Sequence, residues 1–507
     1  MLDLLIVTAP FTYTFGPSLG PALLKSCAEE QGIATQAWDM SAEFNFTFKN
    51  HTHYNNVIGW LGSPELQITQ EEFDFYYDIV KQFADRIVQT NPNYLAVSIL
   101  TQNSLTFTED ICYHVRLKNP KIKIILGGSG LDIFQHPFRE HWYNLMLNAN
   151  LADTVILGEG EKSLPAVIIE QITGVVKVPQ LSAAELEQVP FPNYDDYDFS
   201  LYASTEGTYW LSRESVRQEQ ENIFLITASK GCVKDCSFCD VGKIWGKFKS
   251  RSGARVAEEM IYLNKRYGAK YFSFTDSLMN GGLKPYLEMN EVLAERLAGV
   301  IKYDGQIICR SRRDMPERYF EAMARAGCHY VSIGMESGSE QVRMHMGKGS
   351  KQDDVHYTTE MLIKYGIRQG WNIIAGYPTE TDDDWQQTMD LIKYWLPKTN
   401  GLLKITPIDI FQMLEGTPMT ETDMFHDLKI KTQVVNNYSS FAWTSELNPG
   451  NTLETRASRF IELCEYLLEF DPVLYDSAKR KIAHVNQRTV WYKNEQSNKK
   501  IFRISPT

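Results

Sequence analysis

Hydrophobic positions in the first third of the chain fall in short β-branched runs, each followed by apolar residues at helical spacing. "LLIVTA" (Leu4 to Ala9) leads into a helical pattern in "LGPALLKSCAEEQG" and then "ATQAW" (Ala34 to Trp38), a βαβ start. After an aromatic, polar excursion from Glu43 to Asp74 the alternation resumes with "YLAVSIL", a helix near "TEDICYHVRLKN", "KIKIILGG" and "DTVILGEGEKSLPAVIIEQI". Four strands, each passing through a loop into a helix, predict a doubly wound, Rossmann-like parallel sheet with its ligand site at the strands' C-terminal ends. That domain is expected over 1–180. A linker is expected over 181–220, because "VPFPNYDDYDFSLY" (Val189 to Tyr202) is acidic, contains proline and has no helical period.

The alternation restarts at Ile223. "IFLITA", "YFSFT", "GQIICR", "YVSIG", "GWNIIAG" and "LLKITPIDIF" are separated by helical patterns such as "RVAEEMIYLNKRYG" and "DDWQQTMDLIKYWL". Six such strands in about 190 residues, short of the ~250 typical of eight units, predict a partial (β/α)6 TIM-type barrel over 221–420. The remainder, 421–507, is aromatic-rich and reads as a small, mainly helical C-terminal cap, for example in "ASRFIELCEYLLEF". The fold class is therefore α/β, without the internal repeat of a solenoid.

Composition narrows the function. With 507 residues, 43% hydrophobic and 22% charged, the chain is an ordinary multidomain globular protein, and a net charge of -12 argues against broad capture of nucleic acid. A small molecule, a peptide or a protein partner suits it better. The opening "MLDLLIVTAPF" carries Asp3 where a signal peptide has a basic residue, and no run reaches membrane-span length. Cys27, Cys112, Cys309, Cys328 and Cys464 are scattered through apolar or helical contexts, unlike a secreted disulfide framework, so a reduced, cytoplasmic protein is expected.

The other three cysteines, Cys232, Cys236 and Cys239, sit within "ITASKGCVKDCSFCDVGKIWG", directly after the first barrel strand, where βα loops build active sites. Thiolates in this pattern favour zinc or an iron-sulfur cluster. Zinc would want a fourth protein ligand nearby, and the nearest downstream histidine is His329. A cubane held by three cysteines instead leaves one iron open for a substrate or cofactor.

At this point the sequence resembles the radical SAM superfamily. The resemblance implies a [4Fe-4S] cluster on the three cysteines, S-adenosyl-L-methionine on the open iron, and reductive cleavage to a 5'-deoxyadenosyl radical. Phe238, before the third cysteine, fits the family's habit. "FSFTDS" places Asp276 where the family keeps polar groups for the methionine amino group, or else as a helix N-cap. In "SIGMESGSEQV", Glu336, Ser337 and Ser339 match the ribose and methionine contact segment, or form a serine-capped turn. In "NIIAGYPTET", Ala375, Gly376 and Pro378 match the segment lying against adenine, or are turn chemistry alone. Period two in "QIICRSRRD" puts Gln306, Ile308, Arg310 and Arg312 on one face. Either guanidinium there could hold the cofactor carboxylate; Arg312 aligns best with the family's arginine, and a surface ion pair is the alternative for both.

The first domain resembles the cobalamin-binding domain that precedes the barrel in one large radical SAM class, through "PSLGPALLKSCAEEQG", "VSILTQNS", "IILGGSG" and "DTVILGEGEKSL". The resemblance implies cobalamin contacts at Ser98, Thr101, Gly127, Gly128, Gly158, Glu159 and Gly160. Glycines at strand ends would admit a bulky planar ligand, and "LGEGE" opens a helix whose first N–H groups face that site; a plain scaffold is the alternative. The Asp-x-His-x-x-Gly motif of some cobalamin enzymes is absent: His51, His53, His114, His136 and His141 lie in other contexts, and His51 and His53 read as surface-loop residues. Cobalt is thus expected without a histidine ligand.

Together these features imply a cobalamin-dependent radical SAM methyltransferase acting on an unactivated carbon of a small-molecule or peptide substrate, supplied with electrons by a flavodoxin or ferredoxin. The alternatives are a cobalamin-binding enzyme of rearrangement or cyclisation, and an iron-sulfur electron carrier or sensor. A methylthiotransferase would need three further cluster cysteines, and only Cys27 and Cys112 precede the barrel. The aromatic excursion and "NNYSSFAWTSELNPG" (Asn436 to Gly450) either line a substrate cavity or pack as core and cap.

Overall fold

The computed structural model describes residues 2–10, 16–62, 66–132, 137–202, 222–432 and 439–499. His136, residues 63–65 of the aromatic excursion, 203–220 of the expected linker and 436–438 of the later aromatic stretch lie outside them. The chain forms two compact units, one of 1–227 with 250–275, the other of 228–249 with 276–507.

In the first unit, β1 (Leu4–Thr8), β2 (Thr35–Trp38), β3 (Tyr94–Ser98), β4 (Lys123–Gly127), β5 (Thr154–Leu157) and β6 (Gly174–Lys177) form a parallel sheet in the order β2-β1-β3-β4-β5-β6. Strand order reverses between β1 and β3, and the C-terminal ends of strands at such a switch point form a natural ligand crevice. The expectation of a doubly wound α/β sheet is met, with one strand more than the sequence patterns offered. "GVVK" of β6 is only four residues long and half-exposed, so no buried run announces it.

The aromatic excursion is helical. Helices Met40–Phe48, Tyr54–Gly62 and Gln70–Thr90 occupy it, started by local chemistry: Asp39 accepts from the Ala42 N–H at 3.0 Å, and Thr69 with Glu72 makes a capping box. Their rings pack inward, with Phe44 and Tyr76 fully buried against Phe107. Part of the expected linker is also ordered: Ala183–Gln188 is a helix, and Tyr194, Tyr197 and Tyr202 are buried. Tyr202 donates to Asp39 at 2.9 Å, and Lys25 pairs with Asp196, which ties 189–202 to the unit. The first unit also contains the parallel pair β7 (Ile223–Ile226) and the later β10.

Between them lie the two-residue strands β8 (Ser229–Lys230) and β9 (Lys249–Ser250), and β10 is Tyr271–Phe274. The second unit holds β11 (Lys302–Ile307), β12 (Cys328–Glu336), β13 (Arg368–Ala375) and β14 (Leu403–Ile410), all parallel and paired in sequence order. All six strands expected between 221 and 420 therefore form. Period two separates their faces. Val331, Ile333, Trp371, Ile373 and Ile405 are at most 1% exposed. Opposite them, Gln306 pairs in register with Ser332, Ser332 with Gly370, and Asn372 with Thr406, a polar face where a filled barrel would carry bulky aliphatics.

The C-terminal region is less purely helical than its pattern suggested. Besides helices Leu453–Phe470 and Ser477–Lys499 it holds strands: β17 (Ser439–Ser440) pairs antiparallel with the preceding β15 (Met413–Leu414), and β16 (Ile430–Thr432) with β18 (Trp443–Ser445). Trp443 joins Met346, Tyr377, Phe411 and Met419 in one apolar cluster, so this region packs on the strand-end loops of its own unit. No helix among the described residues is long and apolar enough to cross a membrane.

Ile333 supplies the test of the apolar face. Ile333→Ala removes a side chain only 1% exposed and should cost about 2–5 kcal/mol, read as a lower denaturant midpoint for the second unit.

Candidate active site

Cys232, Cys236 and Cys239 lie in an irregular loop whose backbone is fixed from outside. The Ser237 N–H donates to Met346 O at 2.9 Å, the Met419 N–H donates to Ser237 O at 2.7 Å, and Ser237 Oγ and the Tyr377 hydroxyl are 2.9 Å apart. Within the loop Cys239 N–H donates to Cys236 O at 3.0 Å. Burial pushes the Cys236 thiol up to about 12, against the lowering effect of Lys348, and the Cys239 thiol is raised for the same reason; each is raised further by the neighbouring thiols. The three sulfurs thus share one electrostatic neighbourhood. Among the described residues, no three His, Cys, Asp or Glu groups stand as a ready-made metal cage. The other five cysteines are free and buried, as expected of packing residues.

The loop rests on "MGKG". Gly347 has φ +80°, and a Cβ there would lie 2.8 Å from Asp235 O and 3.5 Å from Cys236 Cα. Lys348, which the sequence reading missed, is 7% exposed and donates to Glu336 Oε1 and Gly334 O, both at 2.7 Å. Burial opposes its charge, but Glu336 and the thiols outweigh that, and its pKa lies above the ordinary lysine value. Its ammonium is 5.9 Å from the Phe238 ring. Glu336 itself ends β12 in the left-handed region at φ +63°, a conformation that non-glycine residues adopt where surrounding structure imposes it. A Cβ on Gly334 would come within 2.5 Å of Lys348 Nζ and 2.7 Å of Glu336 Oε1, so a side chain there would push the ends of both aside.

The remaining predicted residues divide. Asp276 is buried and accepts from Ser229 Oγ at 2.5 Å and the Ala228 N–H at 2.9 Å; it caps neither following helix, whose N-caps are Leu278 and Gly282. Ser337 and Ser339 serve the turn. Ser337 Oγ lies 3.2 Å from Thr388 Oγ1, while Ser339 Oγ donates to Asp384 at 2.6 Å and caps helix Glu340–His345. Gly376 has φ +87°, its N–H donates to Glu380 Oε2 at 2.7 Å, and a Cβ would strike Arg456 Cγ at 2.1 Å. Ala375 and Pro378 are buried, and Pro378 O accepts from Asn448 Nδ2 at 3.1 Å.

The single face expected for Gln306, Ile308, Arg310 and Arg312 does not form. β11 stops at Ile307, where the Asn280 amide brackets Ile308, accepting its N–H at 3.1 Å and donating to its carbonyl at 2.9 Å. Arg310 is half-buried, donates to Asn280 O at 2.9 Å, keeps a buried Nε without a partner, and lies in the field of Cys232. Arg312 instead is exposed, with its guanidinium 5.0 Å over the Tyr357 ring. Of the two, Arg310 is the one turned inward, against the Asn280 and Gly281 carbonyls.

In the first unit, the expected glycines approach protein rather than open space. A Cβ on Gly128 (φ +110°) would meet Ile99 O at 2.4 Å, one on Gly158 (φ +106°) Val178 O at 2.6 Å, and one on Gly160 a Leu24 methyl at 2.9 Å; Gly127 makes ordinary contacts. Glu159 turns away to accept the Leu181 N–H. Thr101 Oγ1 lies 3.4 Å from Ser104 Oγ. Ser98, however, ends β3 in register with Thr8 at the end of β1, at the switch point. Thr8 Oγ1 and Ser129 Oγ, the latter just after β4, are buried without a hydrogen-bond partner. Two unpartnered hydroxyls at the ligand edge fit a bound polar group better than a bare scaffold. His114 packs against Tyr77 and His51 stacks on Phe75 at 4.0 Å.

Residues 226–392 match the family described as the radical SAM superfamily. The chain carries a radical SAM domain. The family implies a [4Fe-4S] cluster and S-adenosylmethionine, and the three-thiol loop with its buried polar surround fits both. An anaerobic magnesium-protoporphyrin IX monomethyl ester cyclase of Synechocystis sp. is 23% identical over 308 residues, 58% of each chain. The chain spans 63%, 58% and 52% of the length of the first three curated relatives. Among solved structures, the radical S-adenosylmethionine methyltransferase TsrM of Kitasatospora setae aligns with TM-score 0.57 at 14% identity, covering 90% of this chain and 83% of that one. The cobalamin-dependent S-adenosylmethionine radical enzyme OxsB aligns with TM-score 0.58 at 14% identity, covering 92% and 67%. These likenesses establish the fold.

Behind the Gly376 turn of the radical SAM domain, Glu380 is fully buried, and burial raises its carboxyl to about 7 against the Arg459 guanidinium 3.0 Å away. A raised folded pKa means that the folded state holds the extra proton between about 4.5 and 7, so stability falls as pH rises through that window. Glu380→Gln should abolish that slope, gaining on the unaltered protein by on the order of 3 kcal/mol across the window, measured by denaturation at several pH values.

Proposed function

We propose that the protein is a cobalamin-dependent radical SAM enzyme that methylates an unactivated carbon of a small-molecule or peptide substrate, drawing electrons from a flavodoxin- or ferredoxin-type donor. One observation carries the reading: a three-cysteine loop braced by "MGKG" and Tyr377 shares the chain with a doubly wound sheet whose switch point presents Thr8, Ser98 and Ser129. The fold likeness to OxsB and TsrM supports joining the two. So does the layout implied by the sequence, a sheet domain before a partial barrel and a C-terminal cap.

Bound, the cluster and S-adenosylmethionine would supply the radical that removes a hydrogen atom, and cobalamin would supply the methyl carrier. The chain's own part is binding and exclusion. Cys232, Cys236 and Cys239 would ligate iron, Arg310 would meet a carboxylate, and Asp276, pre-oriented by Ser229 and Ala228, would accept from an ammonium. Glu336, Ser337 and Ser339 would border the nucleoside, with Ala375 to Pro378 against the base. The apolar cluster of Tyr377, Phe411 and Trp443 beneath Phe238 would keep water from the site. In the first unit the hydroxyls of Thr8, Ser98 and Ser129 would bind polar side groups of a corrin, with Thr101 and the glycine turns framing them.

A second reading, a cyclisation or rearrangement without methyl transfer, is favoured by the likeness to the cyclase. Isotope decides between them. Anaerobic reconstitution with iron, sulfide and hydroxocobalamin should leave about four iron and one cobalt per chain, and methyl-labelled S-adenosylmethionine should then label the product. Cobalt without label would select the second reading, and iron without cobalt would remove the methylcobalamin mechanism. Cys236→Ala should lose both cluster absorbance and S-adenosylmethionine cleavage; retention of cleavage would sink the site. Asp276→Ala should weaken cofactor binding with iron content unchanged.

A further inference from the structure

Gly347, Lys348 and Gly349 follow helix Glu340–His345 and lie directly on the cysteine loop. The close approach of Gly347 to Asp235 O and Cys236 Cα, the 3.1 Å separation between an added Gly349 Cβ and Lys234 Nζ, and the Ser237 N–H bond to Met346 O fix that placement. Lys348 is therefore a buried cation seated beside the cluster ligands, not a surface lysine whose charge water would screen. Its only carboxylate partner in ion-pair range among the described residues is Glu336, 2.7 Å away, with side chains 8% and 9% exposed. Of the two, Lys348 acts more strongly on Cys236, and it also acts on Cys239. The ammonium, 5.9 Å from the Phe238 ring and next to the Gly347 that abuts Cys236, is the end of the pair on the cysteine loop.

We propose that the buried Lys348–Glu336 pair is an electrostatic positioning device that sets the reduction potential of the cluster held by Cys232, Cys236 and Cys239. The inference rests on the radical SAM reading of this site. An iron-sulfur cluster's potential follows local net charge and burial, and a positive charge beside it favours the reduced, more negative state. Burial makes that leverage large, because a low local dielectric leaves charges poorly screened. The left-handed backbone at Glu336 and the side-chain-free position at Gly334 are then understandable: together they leave the carboxylate and the ammonium room to meet at the strand end.

The test is a redox titration of the reconstituted full-length protein, followed by electron paramagnetic resonance and without substrate. Lys348→Gln should move the midpoint to more negative potential, Glu336→Gln should move it to more positive potential, and the double variant should fall between them. Lys348→Arg should keep the midpoint near that of the unaltered protein. A merely structural pair would lose iron in both single variants without opposed shifts. Shifts of the same sign, or midpoints unchanged at full iron content, overturn the proposal. If Lys348→Gln loads no iron, Glu336→Gln and Lys348→Arg still decide it. Absence of a [4Fe-4S] signal in the unaltered protein would instead overturn the radical SAM reading of the site, a separate failure.

Discussion

The cysteine loop is braced from outside, by residues that follow three successive strands of the second unit. Both backbone polar groups of Ser237 find partners outside the loop, on Met346 and Met419, and its side chain meets the Tyr377 hydroxyl. A loop with buried polar backbone is stable only if such partners are supplied. They come from residues beyond β12, β13 and β14, so the shape of the cysteine loop is a product of the folded strand series and not of the cysteine motif alone. The required intimacy explains Gly347, which has φ +80° and where a Cβ would strike the Asp235 carbonyl oxygen at 2.8 Å.

The same strands resolve a second conflict. Their buried face is mainly aliphatic and aromatic, with Gln369 accepting from the Trp371 indole at 3.1 Å, while the other face carries Gln306, Ser332, Asn372 and Thr406. Asn372 Nδ2 reaches Ser332 Oγ at 3.3 Å, and the Tyr330 ring lies over Gly370, where a Cβ would meet its hydroxyl at 2.0 Å. A small barrel normally fills its centre with branched side chains. Here polar and glycine positions leave hydrogen-bonding capacity next to Glu336 and Lys348, at the strand end where the chemistry is assigned.

What the sequence made legible follows from period and spacing. Strand runs, helical intervals and the Cys232, Cys236, Cys239 pattern are local signals, and local signals survive folding. β6 is too short and too exposed to register, and the helices of the aromatic excursion are masked because they bury rings on a pattern dominated by large residues; the capping box at Thr69 and Glu72 is the signal available. Arg310 and Arg312 could not be separated by alternation because the strand ends at Ile307, held by an Asn280 that lies far away in sequence. Lys348 offered no local mark at all. Its importance comes from burial and from Glu336, both tertiary, although glycines on either side hinted at close packing. Glycines at strand ends suit a bulky ligand, yet Gly128 and Gly158 are needed because neighbouring backbone already fills that space.

Buried charge is what distinguishes this strand end from a scaffold. Lys348, Arg456 and Arg459 are each at most 7% exposed, and each is held by several oxygen acceptors: Gly334 and Glu336; Asn451, Phe441 and Trp443; Glu380 and Asp382. Burying an ammonium or guanidinium is expensive unless pairing and hydrogen bonds offset the lost hydration. A fold seeking stability alone would do as well with aliphatic residues of similar size. Three fixed cations near the Glu336 and Gly376 turns instead give the site a field that need not reorganise when a charged ligand arrives, which is the property that makes preorganised polar sites effective.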